Sequence, residues 1–183
     1  MWNAVARRVA VSGHLDAWES ARLFGLLDAA LADGYVASFS AKYVYRFWRP
    51  VTAIRLAGHD GNPRTTADPT WTPLVTTPPV PDHDSAHAVE GGAAAAVLAG
   101  FFGTDRVPFR ACSVTLAEAS SCDGSPTVYR HFPGFAAAAR ENALSRIYIG
   151  FHFRHASVTG LRHGTQVGQW TLAHLLRPLQ AGT

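Results

Sequence analysis

An all-α helical bundle carrying one long proline-rich loop is the fold class this sequence predicts, and three observations predict it. Apolar residues recur at three- and four-residue steps through most of the chain. Hydrophobic residues make up 48% and charged residues only 16%, so a large share of the chain must be buried. Six prolines (Pro63, Pro69, Pro73, Pro78, Pro79 and Pro81) are crowded between Gly58 and Asp84, which leaves the periodic segments on either side intact. At 183 residues the chain reads as a single domain, 1–183, with no internal repeat and no linker.

The first helix is expected from Leu15 to about Arg46, where Leu23, Phe24, Leu26, Leu27, Ala30 and Leu31 form the apolar face opposite Glu19, Arg22, Asp28 and Asp33. Pro50 cannot continue it, so a break falls near Trp48-Arg49, followed by a short helical turn over Val51–Ala57. The loop Gly58–Asp84 is too long to be a simple connector and reads as functional, pinned to the core by Trp71 and Leu74. Ser85–Phe102 is helical, with Asp84 or Ser85 as N-cap, Glu90 in the early turns and Gly103 as the stop. Residues 105–131 read as irregular, with an extended piece at Arg106–Leu116 and a turn at Ser120–Ser125. Phe132–Tyr148 is helical again up to Gly150, and Phe153 or His155 to Leu176 forms the last helix, closed by Pro178.

Several function classes fall away. No run of about 20 apolar residues exists; the best candidate, Gly91–Gly103, is short and Ala-rich and reads as a buried helix. No signal peptide is visible at the start of the chain, so it reads as soluble, with its compartment open. The net charge is +3, but no Lys/Arg tract interleaved with aromatics marks a nucleic-acid surface. Arginine dominates the sixteen basic residues, Lys42 being the one lysine, which fits a small anionic ligand better. Cys112 and Cys122 can pair across a loop, but lack metal-site spacing.

Three clusters carry chemistry. Lys42 and Arg49 lie seven residues apart, near two helical turns, so both share a face if the helix holds that far, with Arg46 close to it. Their aromatic neighbours Tyr43, Tyr45, Phe47 and Trp48 mark the stretch as buried, and buried cations need anions. Ser85-Ala86-His87 opens a helix, where free N–H groups, a hydroxyl and an imidazole meet the positive dipole end. Arg146 and His152 flank the break at Gly150. Each cluster alone has an ordinary explanation as a helix-end cation, an N-cap or a core histidine. Together they equip a site for a tetrahedral oxyanion. A zinc site from His83 and His87, completed by His152 and His155, competes, but no glutamate follows His83 to give the H-E-x-x-H form.

The order K-x6-R-P, S-A-H and S-R-x5-H, over Lys42–Pro50, Ser85–His87 and Ser145–His152, resembles the superfamily shared by vanadium-dependent haloperoxidases and type 2 phosphatidic acid phosphatases. FWRPVTAIR, GNPRTTADPTWTPL and GFHFRHA place the resemblance on the haloperoxidase side and spread it over most of the chain. It implies that Lys42, Arg49 and Arg146 bind vanadate oxygens, that Ser85 and the Ala86 N–H donate to them, that His87 is the acid–base residue, and that His152 ligates the metal. The implied function is oxidation of halide by hydrogen peroxide at histidine-bound vanadate, with a small organic acceptor. Phosphate fits the same site, and the alternatives are an acid phosphatase with His152 as phosphoryl acceptor or a non-catalytic truncated member.

The sequence departs from the family pattern at four points. Ala86 replaces the usual glycine, Asp84 stands where proline is common, and His155 occupies the position of an aspartate that orients the ligand histidine in many phosphatases. Only 41 residues precede Lys42, so the chain reads as the C-terminal part of a longer architecture, whose uncovered apolar faces call for a partner or a homo-oligomer.

Overall fold

The computed structural model describes residues 1–112 and 128–177. Its helices are α1 (Trp2–Ser12), α2 (Ala17–Tyr45), α3 (Pro50–Arg55), α4 (Ala86–Phe102), α5 (Phe135–Tyr148) and α6 (Arg154–His174). An antiparallel hairpin joins β1 (Phe109–Cys112) to β2 (Tyr129–Phe132), with Phe109 opposite Phe132 and Cys112 opposite Tyr129. The bundle, its proline-rich loop and the helix bounds agree with the sequence to within a few residues.

One element was not anticipated and one only in part. In α1, Trp2, Val5, Ala6, Val9 and Ala10 are buried, a helical spacing that the search for a targeting segment passed over. β1 lies within the extended piece expected at Arg106–Leu116, but β2 and the pairing were not foreseen, because the strands are only four residues long and find each other across the chain. Cys112 is disulfide-bonded. Cys122, the Ser120–Ser125 turn and Pro178 lie outside the described residues. Leu74 is not a side-chain anchor: it is exposed, and the loop is held there by its N–H, which donates to the carbonyl of Ile149 at 3.1 Å. Trp71 does pack, with its ring against Gly150.

The bundle is organised around α4, which packs against α2, α5 and α6. Its buried residues surround the helix on all sides (Ala88, Val89, Ala93, Ala94, Val97, Leu98), as a central helix requires. The α4–α6 contact is a backbone-to-backbone approach. A Cβ at Gly164 would overlap the carbonyl oxygen of Val89, one at Gly160 would stand 2.8 Å from the carbonyl oxygen of Ser85, and one at Gly168 2.6 Å from that of Ala93. Gly92 of α4 is closed in the same way by Leu161 of α6. The Ser85 N–H donates to the carbonyl of Ala156 at 3.1 Å and locks the two helix starts together. Among the described residues no helix is long and apolar enough to cross a membrane.

This contact predicts that Gly164→Ala costs about 2 kcal/mol or more through overpacking, lowering the melting temperature by roughly 5 °C for a domain of this size. Gly58→Ala, where an added Cβ meets nothing within 4 Å, leaves it unchanged. A circular-dichroism melt compares the two; equal effects would show that the α4–α6 approach is not tight.

Candidate functional site

The site forms where the end of α2, the loop before α4 and the turn between α5 and α6 converge. Lys42 sits in the last turn of α2 with 1% exposure. Its ammonium donates to the carbonyls of Pro81 and Asp82, each at 3.0 Å, and to that of Asp84, so its three protons are taken by the loop. Arg49 does not share its helical face. The helix ends at Tyr45, Arg46 caps it in the left-handed region (φ 47°), and Arg49 is the N-cap of α3. The two cations meet because the chain turns, not because the helix continues. Arg46 lies exposed on that turn, its Nε donating to the carbonyl of Tyr43. The aromatics are exposed too: Tyr43, Tyr45, Phe47 and Trp48 face outward while Lys42 and Arg49 turn in.

Arg49 Nε donates to the Val80 carbonyl at 2.8 Å, and its Nη1 reaches the Phe151 carbonyl and His152 Nε2, each at 3.0 Å. Arg146, in the last turn of α5, donates through Nε to Ser145 Oγ at 3.1 Å, with its guanidinium carbon 5.9 Å from the Phe151 ring centre. Gly150 adopts φ +82°, a left-handed turn that a side chain resists, and the N–H groups of Phe151 and His152 both donate back to the Arg146 carbonyl. That turn brings Arg146 and His152, six residues apart, to one site.

Ser85 is the N-cap of α4 by backbone position, but its hydroxyl caps nothing. Ser85 Oγ is fully buried and without a hydrogen-bond partner among the described residues. An unpaired buried hydroxyl costs stability and marks a place built for something else. The Ala86 and His87 N–H groups precede the first intrahelical bonds, which Ala88 and Val89 make to the Ser85 carbonyl. Alanine serves at 86 because that residue takes an ordinary helical φ there. His87 stands at the exposed mouth, its carbonyl accepting from Asn142 Nδ2 at 2.9 Å.

Two aspartates behave differently from what their positions imply. Asp84 turns its carboxylate away from the site, accepting from Ser38 Oγ and pairing with His163 Nδ1, both at 2.7 Å. Asp82, which sequence reading missed, is 1% exposed and places Oδ1 2.7 Å from His152 Nδ1. The separation is that of a hydrogen bond, although the ring N–H is not squarely aligned and both oxygens otherwise lack a donor among the described residues. Among the described residues this 2.7 Å approach is the shortest polar contact of the Asp82 carboxylate, the next being Arg49 Nη1 at 3.9 Å. His155 does not reach His152; it stacks on His83 with ring centres 5.3 Å apart. Among the described residues no group of three or more His, Cys, Asp or Glu side chains could hold a metal ion, which removes the zinc alternative's ligand set.

The electrostatics share one direction. Burial and then Arg49 push Lys42 down to about 8, against the opposing pull of Asp82 and Asp84. Burial lowers Arg49, Arg146 and His152, the last despite Asp82. His87 is pushed down to about 4, by lost hydration and then by Arg146, His152, Lys42 and Arg49. Every one of these groups would be relieved by an anion placed among them.

A helical bundle that brings three buried or half-buried cations, a helix N-terminus and a hydroxyl unpaired among the described residues to neighbouring chain ends has the donor set that suits an oxyanion. The model of the VCPO second helical-bundle domain matches residues 22–181, and the chain belongs to this vanadium haloperoxidase family. The vanadium chloroperoxidase of Curvularia inaequalis is 28% identical over 84% of this chain and 32% of its own. A crystal structure of a bacterial vanadium-dependent iodoperoxidase superposes with a TM-score of 0.78 and 30% identity, covering 95% of this chain and 38% of that one. A bacterial vanadium-dependent chloroperoxidase in its holo form shares the fold at a TM-score of 0.61 and 21% identity, over 78% of this chain and 33% of its own. The chain thus spans about a third of the length of these relatives.

His87 is expected to titrate near 4 by histidine proton NMR and to move back toward ordinary values in Arg146→Ala. Its folded value lies below the unfolded one, so the neutral ring's contribution to stability is full above about 6.5 and lost as pH falls toward 4. A His87 midpoint near 6.5 in the parent protein would contradict the crowding by cations.

Proposed function

We propose that this chain holds vanadate in a vanadium-dependent haloperoxidase, oxidising halide with hydrogen peroxide and passing the oxidised halogen to a small organic acceptor. The observation that carries this reading is the buried Ser85 hydroxyl, without a partner among the described residues, at the start of α4 two residues before His87, on whose ring the charges of Arg146, His152, Lys42 and Arg49 converge. Such a donor set fits a tetrahedral or five-coordinate oxyanion. Bound vanadate would supply a Lewis-acidic centre that activates peroxide toward halide without changing oxidation state.

The chain's own residues then take distinct parts. Arg49 and Arg146 hold oxygens through guanidinium N–H groups without a hydrogen-bond partner among the described residues, and Ser85 Oγ and the Ala86 N–H donate from the helix start. Lys42 acts through its charge, or exchanges one loop carbonyl for an oxyanion. His152 Nε2, which accepts from Arg49 Nη1 in the structure, is the nitrogen available to the metal once Arg49 turns to an oxygen. His87, kept neutral by its neighbours, takes and returns a proton at the mouth.

A phosphatase is the second reading, and the Asp82–His152 approach favours it, since a carboxylate beside Nδ1 also suits a histidine that attacks phosphorus through Nε2. Residues 1–183 we read as one domain, the second bundle of a longer enzyme. The exposed side chains of Val36, Phe39, Tyr43, Val44, Tyr45 and Trp48 on and after α2 form the face where a further helical bundle packs.

Protein reconstituted with orthovanadate is expected to brominate a phenol dye when given peroxide and bromide. His152→Ala should lose vanadate binding by equilibrium dialysis, while His87→Ala binds and loses turnover at least 100-fold, the usual scale for an acid–base residue. Release of phosphate from an aryl phosphate without bromination would select the phosphatase, and absence of both the non-catalytic reading. Made alone, the chain should self-associate in light scattering and Tyr45→Glu with Trp48→Glu should reduce it; a strictly monomeric parent would remove the docking face.

A further inference from the structure

We infer that Asp82 is the positioning residue of His152: its carboxylate fixes the imidazole with the proton on Nδ1 and the lone pair of Nε2 facing the oxyanion site. This rests on the reading of His152 as the group that meets the bound centre. Two contacts of the ring nitrogens point to the same tautomer. A guanidinium only donates, and Arg49 Nη1 stands nearer Nε2, at 3.0 Å, than Nδ1, at 3.5 Å, which favours the lone pair on Nε2. The proton of a neutral ring then sits on Nδ1, where Asp82 Oδ1 lies 2.7 Å away. Arg49 Nη1 is also 3.5 Å from Nδ1 but cannot accept, so among the described residues Asp82 is the acceptor that this proton has.

Asp82 is built to hold that position. Its N–H donates to the Phe47 carbonyl at 2.8 Å, and its carbonyl accepts from Lys42 Nζ at 3.0 Å, fixing the backbone on both sides of the side chain. The carboxylate is fully enclosed and has no other hydrogen-bond donor among the described residues. A structural ion pair with Arg49 explains it less well, since the closest guanidinium nitrogen stands at 3.9 Å, well beyond the contact to His152. A carboxylate behind a ligating histidine sets the ring's orientation and tautomer and raises the basicity of its far nitrogen.

The test separates orientation from binding. In oxyanion-free protein at pH 7.5, long-range nitrogen–proton NMR of the ring, assigned with His152→Gln, is expected to show the Nδ1–H tautomer. Asp82→Asn keeps an acceptor and should keep the tautomer, losing orthovanadate affinity by only a few-fold in equilibrium dialysis. Asp82→Ala should give mixed tautomers and weaken vanadate binding about 10- to 100-fold, the scale for outer partners of metal ligands. An unchanged tautomer and affinity in Asp82→Ala would overturn the inference, as would Asp82→Asn behaving like Asp82→Ala. Should Asp82→Ala fail to fold, loss of the tautomer in folded Asp82→Asn overturns it and retention with weaker binding upholds it. A tautomer that responds to Asp82 in a parent protein that binds no vanadate would uphold the positioning role and sink the haloperoxidase reading instead.

Discussion

Everything at the site hangs on how closely α4 and α6 approach. Glycines at 160, 164 and 168 repeat every four residues along α6, one per turn, and each faces a backbone atom or alanine of α4. With no Cβ between them the two helices pack main chain to main chain. The Ser85 N–H then reaches the Ala156 carbonyl, so the start of α4 and the start of α6 become one rigid corner. Ser85, Ala86 and His87 lie on one side of that corner and His152 on the other. A methyl between the helices would separate the donor set from the imidazole, and misplacement on the ångström scale is costly for chemistry.

The second constraint is charge. Lys42 and Arg49 are almost wholly enclosed, and a buried cation persists only where hydrogen bonds replace its water. Here those bonds come largely from main-chain carbonyls of residues 80–84 and from Phe151. The cations therefore serve twice: they staple the proline-rich loop against the bundle, and they project a positive field that the protein's own carboxylates only partly offset. Burial is the first cause of the depressed values of Lys42, Arg49, Arg146, His152 and His87, and neighbouring positive groups add to it at Lys42, His152 and His87. A domain arranged this way gives up some stability to remain ready for an anion.

The short run PDHDSAH shows how sequence position and role come apart. Its two aspartates are separated by one residue, yet Asp84 ties α2 to α6 through Ser38 and His163, while Asp82 turns to His152. From sequence, Asp84 reads as an unwelcome charge beside the anion and His155 as a missing orienting group. In the structure the Asp84 carboxylate is engaged by Ser38 and His163 while still acting on Lys42, and a carboxylate 70 positions upstream of His152 lies 2.7 Å from its ring.

Much was legible without coordinates. The bundle, its loop, the stops at Gly103 and Gly150, and the candidate residues Lys42, Arg49, Ser85, Arg146 and His152 follow from periodicity, from proline and glycine, and from motif spacing, because these are local properties of the chain. The four-residue strands, the outward-facing aromatics and Asp82 do not. Burial depends on which way a turn such as Arg46–Arg49 sends its side chains, and hydrogen bonding depends on distances across the fold. The sequence by itself determined which groups are present and on which helix ends they stand. Only the tertiary structure decided that Ser85 Oγ is left unpaired, that the three protons of Lys42 go to the loop, and that Asp82 lies behind His152. These facts arise from backbone contacts between segments far apart in sequence, and no local pattern encodes them.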